Sequence, residues 1–255
     1  MHKKLSQLDL YEYLELKYEK FAIPDFIDND PISIPHMFSE REDIEISGLI
    51  ASTIAWGQRK SIIKNARHFI ELMDNSPFDF VIGHQQSDLK RFSRAVHRTF
   101  NGEDLVFFIK SLKNIYSKYD SIEEIFASQD DLFLGLAEFY KVFFSIPHLN
   151  RTKRHVANVN SGSAAKRLNM FLRWMVRNDN RGVDFGIWDT LSPSQLYIPL
   201  DVHSGRIARM LGLLDRNQND WKSVLELTAN LRKFDSNDPV KYDFALFGVG
   251  VNEDF

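Results

Sequence analysis

The chain contains no cysteine, which removes disulfides, thiolate zinc sites and cysteine-held iron–sulfur clusters together. It has no run approaching the roughly 18 apolar residues that a membrane-spanning helix needs. It has no basic excess: the formal net charge is −3, so any nucleic-acid site must be a local patch and not a property of the whole surface. No strand-like alternation extends beyond a few residues, and no repeat or low-complexity tract is found. The opening residues, MHKKLSQLDL, carry Lys3 and Lys4 but no apolar core behind them, which predicts no secretory leader and a soluble, cytoplasmic protein without a membrane partner. No HExxH or comparable ligand pair is present, so neither a metal nor an organic cofactor is expected.

What is present is helical periodicity on a 255-residue chain that is 44% hydrophobic and contains 21 phenylalanines. That length suits one large globular unit or two lobes, and the phenylalanines suit large cores between helices. Ile44, Leu49, Ile50 and Ile54 mark one helix, and Ile63, Ala66, Ile70 and Met73 the next. Leu105, Phe108, Ile109, Leu112, Ile115 and Tyr116 recur at three- and four-residue steps, the spacing of a single helical face. Ser121 with Glu124 has the pattern of a capping box. Residues 131–146 predict a further helix, and Asn219 or Asp220 would cap one carrying Val224, Leu227 and Leu231. Asp238 followed by Pro239 fits an N-cap and first helical position for a last helix that stops near Gly248. The expectation is an all-α protein of about nine or ten helices, with residues 23–35 as an ordered loop.

Charge is concentrated in one place. Residues 151–181 carry eight lysines and arginines (Arg151, Lys153, Arg154, Lys166, Arg167, Arg173, Arg177, Arg181) against a single acid, Asp179. Such a block attracts phosphate, although a solvated helix face with acidic neighbours elsewhere would look the same in sequence. Within it, Lys166 opens one amphipathic segment, KRLNMFLRWMVR. Asp201 opens the next, in IPLDVHSGRIARMLGL. Each has an ordinary explanation. Lys166 is a solvated lysine in a first helical turn, where the helix dipole disfavours a cation. Asp201 is a helix N-cap.

The same two segments resemble the helix-hairpin-helix (HhH-GPD) DNA glycosylase superfamily, as a divergent, mainly bacterial branch. The family's hairpin, of the form LPGVGxKTA, has its counterpart in NSGSAAKRLNMFL. Gly162 and Lys166 keep the Gly-x-x-x-Lys spacing there, while Ala164 replaces the second glycine and the Leu-Pro is missing. The family segment VDTHVxRVxxRLGL is matched by LDVHSGRIARMLGL, with Asp201, His203, Arg206, Arg209, Leu211 and Gly212 in register. LIASTIAWGQRKSIIKN is similar to the family's LLSAQTTDxxVN, with Gln58 at the residue that fills the gap left by an extruded base. Together the matches run from about Glu40 to Gly250 in the family's order.

The resemblance implies a two-lobed HhH-GPD-like fold with a cleft between lobes. One lobe would span 40–178, ending in the hairpin and its helix; the other would combine 1–39 with 179–255. Lys166 and Asp201 would face each other across the cleft. It implies a DNA-repair glycosylase, with AP lyase activity where the lysine is the nucleophile, acting on double-stranded DNA with a base lesion. Lys166 would attack the sugar carbon of a flipped nucleotide, and Asp201 would orient the amine and steady the cationic sugar. Gln58, Arg59, Lys60, Gly162, Ser163, Ala164, Arg167, Arg173 and Arg177 would contact nucleic acid. Trp174, Trp188 and Tyr197 would line a base pocket. The spacing from Lys166 to Asp201 implies an insertion, DNRGVDFGIWDTLSPSQL, looped out as a lid. His203 reads as structural, and FGVGV near the C-terminus as a helix stop. Two alternatives stay open: a non-catalytic DNA- or RNA-binding protein that keeps the fold, and a helical interaction scaffold.

Overall fold

The computed structural model describes residues 6–253; Lys3 and Lys4 lie outside them. The described chain is helical, with one antiparallel pair of two-residue strands, β1 (Val96–His97) and β2 (Phe100–Asn101). In chain order the helices are α1 (Gln7–Phe21), α2 (Asp25–Asp28), α3 (Arg41–Thr53), α4 (Arg59–Glu71), α5 (Pro77–Gly83), α6 (Gly102–Tyr116), α7 (Glu123–Ala127), α8 (Leu132–Phe143), α9 (Lys166–Val176), α10 (Val202–Met210), α11 (Trp221–Leu231) and α12 (Tyr242–Asn252). Among the described residues this exceeds the nine or ten expected, because α2, α5 and α7 are too short to show a period. No helix among them is long and apolar enough to cross a membrane.

Two compact units divide the chain, 27–158 and 1–26 together with 159–255. The division differs from the expected 40–178 boundary in a way that matters. The segment bearing Lys166 packs with the segment bearing Asp201, in the same unit, so the two groups do not belong to opposite lobes.

The 27–158 unit has an aromatic interior. Phe108 lies 4.7 Å from Phe143 and 5.3 Å from Phe100, centroid to centroid, and Phe126 stacks on Phe139 at 4.6 Å. Edge-to-face and stacked pairs of this kind add to the burial of each ring. Asn101 and Asp104 form a capping box that starts α6. Buried Glu45 accepts from Ser121 Oγ (2.6 Å), Ile122 N (3.0 Å) and Tyr116 Oη (2.7 Å), and pairs with Arg41. It thereby holds the turn ahead of α7, where Ser121 was expected only to cap.

In the other unit, α1 begins with a reciprocal Ser6–Asp9 capping box and buries Leu10, Leu14 and Tyr18, a one-sided face packed on α12. α12 does not stop near Gly248 as expected. It runs through Gly248 and Gly250 to Asn252. A Cβ at Gly248 would sit 2.3 Å from the Phe21 ring, and one at Gly250 3.0 Å from His203. These glycines let α12 press against α1 and α10, and that packing outweighs their poor helix propensity. Asp238 and Pro239 do stand at the N-cap and first position of a 3-10 turn, Pro239–Lys241, that runs into α12, but the Asp238 side chain makes no cap bond and its Oδ2 accepts from Arg177 (2.7 Å).

Candidate active site

Residues 159–165 turn tightly into α9. Gly162 has φ 82° and Ala165 φ 47°, a left-handed conformation costly for alanine. The turn is held by Ser163 Oγ, which accepts from Ala165 N (3.3 Å), and by Ala164 O, which accepts from Asn169 Nδ2 (3.1 Å). Its first residues, Val159–Ser161, form a 3-10 turn, and another, Asn150–His155, precedes it in sequence. Lys166 is the first residue of α9. On α10, Asp201 is a true N-cap, and its two oxygens are divided. Oδ1 accepts from His203 N (2.8 Å) and Ser204 N (2.9 Å), satisfying orphan donors of the first turn. Oδ2 lies 3.9 Å from Lys166 Nζ. The cap and the pair with lysine therefore coexist in one carboxylate. Both side chains reach solvent, at 26% and 21% exposure, and Lys166 Nζ also lies 3.6 Å from Met170 Sδ.

Beneath this pair the unit is ionic. Arg173, two turns along α9 from Lys166, donates from Nη1 to Asp243 Oδ2 (2.5 Å) on α12 and from Nε to Asp184 Oδ1 (3.2 Å). Arg177 pairs with Asp184 (3.1 Å), Asp238 (2.7 Å) and Asp179 (2.6 Å), and donates to Tyr18 Oη (2.6 Å). Burial works against the Arg177 charge, but Asp184 and Asp238 outweigh it and raise its pKa. Burial pushes the Asp243 carboxyl up to about 6; Arg173 and Lys166 draw it down, and Asp201 and Asp184 push it further up. Asp243 thus senses both members of the exposed pair. Nothing in the sequence singled it out except an acid at the start of an otherwise apolar helix.

This network corrects several expectations. Arg173 and Arg177 side chains are 4% and 1% exposed, enclosed by carboxylates, so they neutralise the interior and do not contact phosphate. Arg151 is likewise committed to Asp104 (3.1 Å). Trp174 and Trp188 are core residues, not walls of an open base pocket; Trp188 packs edge-on to Phe171 at 5.4 Å. Tyr197 is buried against Trp221 at 4.9 Å. The supposed lid, DNRGVDFGIWDTLSPSQL, is packed in. Phe185 N and Trp188 N donate to the Trp174 and Met175 carbonyls (2.8 and 3.1 Å), satisfying acceptors that the end of α9 leaves open. Val183, Asp184 and Trp188 are buried there.

Among the remaining expected contacts, Gly162 is exposed, Ser163 and Ala164 are half-buried, and Arg167 is half-buried with burial pulling its guanidinium down to about 10, still charged at neutral pH. Gln58, Arg59 and Lys60 belong to the 27–158 unit. Gln58 and Lys60 are exposed, and Arg59 is half-buried. The turn before them is anchored by His97, whose Nε2 lies 3.0 Å from Trp56 O and whose Nδ1 lies 2.9 Å from Asn65 Nδ2. His203 faces the Gly250 carbonyl at 3.3 Å. Among the described residues no group of three or more histidine, aspartate or glutamate side chains is placed to hold a metal ion.

Residues 30–252 match the family described as "Protein of unknown function (DUF2400)". The chain belongs to the DUF2400 family. No curated protein and no solved structure matches it. The Lys166–Asp201 pair and the buried carboxylates beneath it therefore stand on their own geometry in this DUF2400 member.

Proposed function

We propose that this protein is a DNA glycosylase with AP lyase activity, in which Lys166 is the nucleophile and Asp201 the supporting carboxylate. The observation that carries the reading is the 3.9 Å approach of Lys166 Nζ to Asp201 Oδ2. Two groups separated by 35 positions in sequence meet at a place open to solvent. The hairpin and aspartate motifs of the glycosylase superfamily supply the chemistry to test.

In that chemistry the neutral amine attacks C1′ of a nucleotide turned out of the duplex. The C1′–N bond breaks, and the base leaves with the bonding electrons and takes up a proton. Asp201 Oδ2, facing the amine, stabilises the positive charge that develops at the sugar. The proton lost from nitrogen passes to that carboxylate or to water. The linkage then opens to a Schiff base as the C1′–O4′ bond breaks and O4′ takes up a proton, and loss of a C2′ proton cleaves the C3′–O bond, the 3′-phosphate leaving with the bonding electrons. Substrate contact rests on the hairpin around exposed Gly162 and on Arg167, because Arg173 and Arg177 are enclosed.

Borohydride trapping on duplex DNA that carries an abasic site or a damaged base tests the reading. The wild-type protein is expected to form a covalent adduct, Lys166→Ala none, and Asp201→Asn about 100-fold less, as loss of a transition-state charge partner produces elsewhere. A wild-type adduct that persists in Lys166→Ala would remove the lysine from the reaction. Salt-sensitive duplex binding without any adduct would instead support a non-catalytic binder.

A further inference from the structure

Lys166 and Asp201 sit on separate helices, and a single segment, Asn219–Trp221, exposed at Asn219 and buried at Trp221, touches the chain beside each of them. On one side, Asn219 Nδ2 donates to the backbone carbonyl of Asp201 (2.9 Å). On the other, Trp221 N donates to Gly162 O (3.0 Å), and Asp220 forms an isolated antiparallel bridge with Ser163, in the turn that delivers Lys166. The segment is held by several side chains. Arg209 donates to Asn219 Oδ1 (2.6 Å), Arg216 O (2.8 Å) and Gln218 O (3.2 Å). Asp220 caps α11 through Ser223 N (3.1 Å), pairs with Arg216 at 2.5 Å, and is held well below the usual carboxylate range by that arginine. Gly205 makes room for the arrangement, since a Cβ there would lie 2.9 Å from both Arg209 Nη1 and Asn219 Oδ1.

We propose that Asn219 is a positioning residue that sets the Lys166–Asp201 separation, bridging the cap of α10 to the turn before α9. It touches neither reacting group's side chain. It acts through the Asp201 carbonyl and through the two residues that follow it. Its exposure means that truncation opens no cavity, so a variant keeps its core. The inference rests on the proposed function only in its catalytic arm, because the separation itself can be read without DNA.

The direct test labels the protein with a limiting amount of acetic anhydride over pH 6–10 and follows acetylation of Lys166, relative to exposed Lys222 and Lys233, by peptide mass spectrometry. Asp201→Asn takes away the charged group that faces the amine at 3.9 Å and is expected to speed Lys166 labelling about fivefold. Asn219→Ala and Gly205→Ala, which disturb the same bridge from its two sides, are expected to reproduce about half or more of that change, with the reference lysines unmoved. Wild-type labelling of Lys166 in both variants would overturn the proposal. So would an Asp201→Asn variant that labels like wild type, for then no coupled pair exists to be positioned. In the DNA arm, Asn219→Ala should slow adduct formation about tenfold at saturating duplex while leaving the Kd unchanged. If the wild-type protein forms no adduct, the glycosylase reading falls, and the labelling still decides the role of Asn219.

Discussion

Phe108 and Arg177 are both large side chains without solvent exposure, and they are enclosed by opposite means. Phe108 lies among other rings: Phe100, Phe107 and Phe143 all meet it edge-on or nearly so. Arg177 lies among Asp179, Asp184, Asp238 and the Tyr18 hydroxyl, with the Phe244 ring 5.5 Å from its guanidinium. The first arrangement is non-directional and indifferent to pH and salt. The second depends on every charge finding its partner, because an unpaired buried ion is costly. The candidate site lies in the ionic unit. A buried network that fixes helix positions through Arg173 and Arg177 is a means of holding Lys166 and Asp201 in one geometry, and it makes that geometry sensitive to proton uptake.

The largest expected effect breaks the ionic side of the comparison. Arg177→Met preserves much of the side-chain volume but strands the Asp238 carboxylate and takes one partner each from Asp179 and Asp184, and should destabilise the unit by about 3–5 kcal/mol. Amide hydrogen exchange read by mass spectrometry would locate the loss. Exchange should quicken in α9, α12 and residues 178–184, while α6 and α8 keep wild-type protection. Equal acceleration in both units would show that the ionic and aromatic regions unfold together and that the contrast between them has no energetic meaning.

Legibility in the sequence follows the same contrast. Periodicity located α6, α8 and α11 well, because a helix packed by apolar contacts displays its buried face as a pattern of Phe, Leu and Ile. The motif segments located Lys166 and Asp201, because a helix start leaves a local signature. Arg173 and Arg177 look like a phosphate-binding block in the sequence, because a charge count over a window cannot see partners such as Asp243 and Asp238, which lie more than 60 positions away. α12 was truncated for a similar reason. Gly248 and Gly250 look like terminators locally, and only the Phe21 ring and the α10 backbone explain them. In the sequence Asn219 reads only as an alternative cap for α11. Its contact with Asp201 is tertiary and has no local pattern.

A smaller effect sharpens the comparison through pH. Asp243 has its folded pKa raised from 3.8 to about 6 by burial, against the pull of Arg173. Between these values the unfolded chain has released the proton that the folded protein still holds, so this group's contribution to stability is greatest below about pH 4 and is lost as pH rises through 6. Asp243→Asn removes the titration. The stability of the variant relative to wild type should therefore climb between pH 4 and 6, by at most about 3 kcal/mol, as measured by urea unfolding at each pH. The adduct-forming reaction should carry the same group. Above pH 6 the ionised carboxylate holds Arg173, and below it that ion pair weakens, so the wild-type rate should fall on the acid side with a midpoint near 6. The variant should lack this limb. A limb unchanged in Asp243→Asn would assign it to another group and disconnect the buried acid from the pair above it.

The smallest effect tests the aromatic side. Phe108→Leu removes ring area but leaves an apolar group in an apolar setting, and should cost about 1 kcal/mol. No titratable group is created or stranded, so the cost should be the same at pH 5 and pH 8 and at low and high salt, by the same urea measurement. Adduct formation at saturating DNA should be unaffected, since Lys166, Asp201 and the Arg173–Asp243 link are all in the other unit. If the cost of Phe108→Leu instead varied with pH as that of Asp243→Asn does, the buried acids of its own unit, Glu45 and Asp104, would be implicated. The ring core would then depend on charge in the way the unit around the candidate site does.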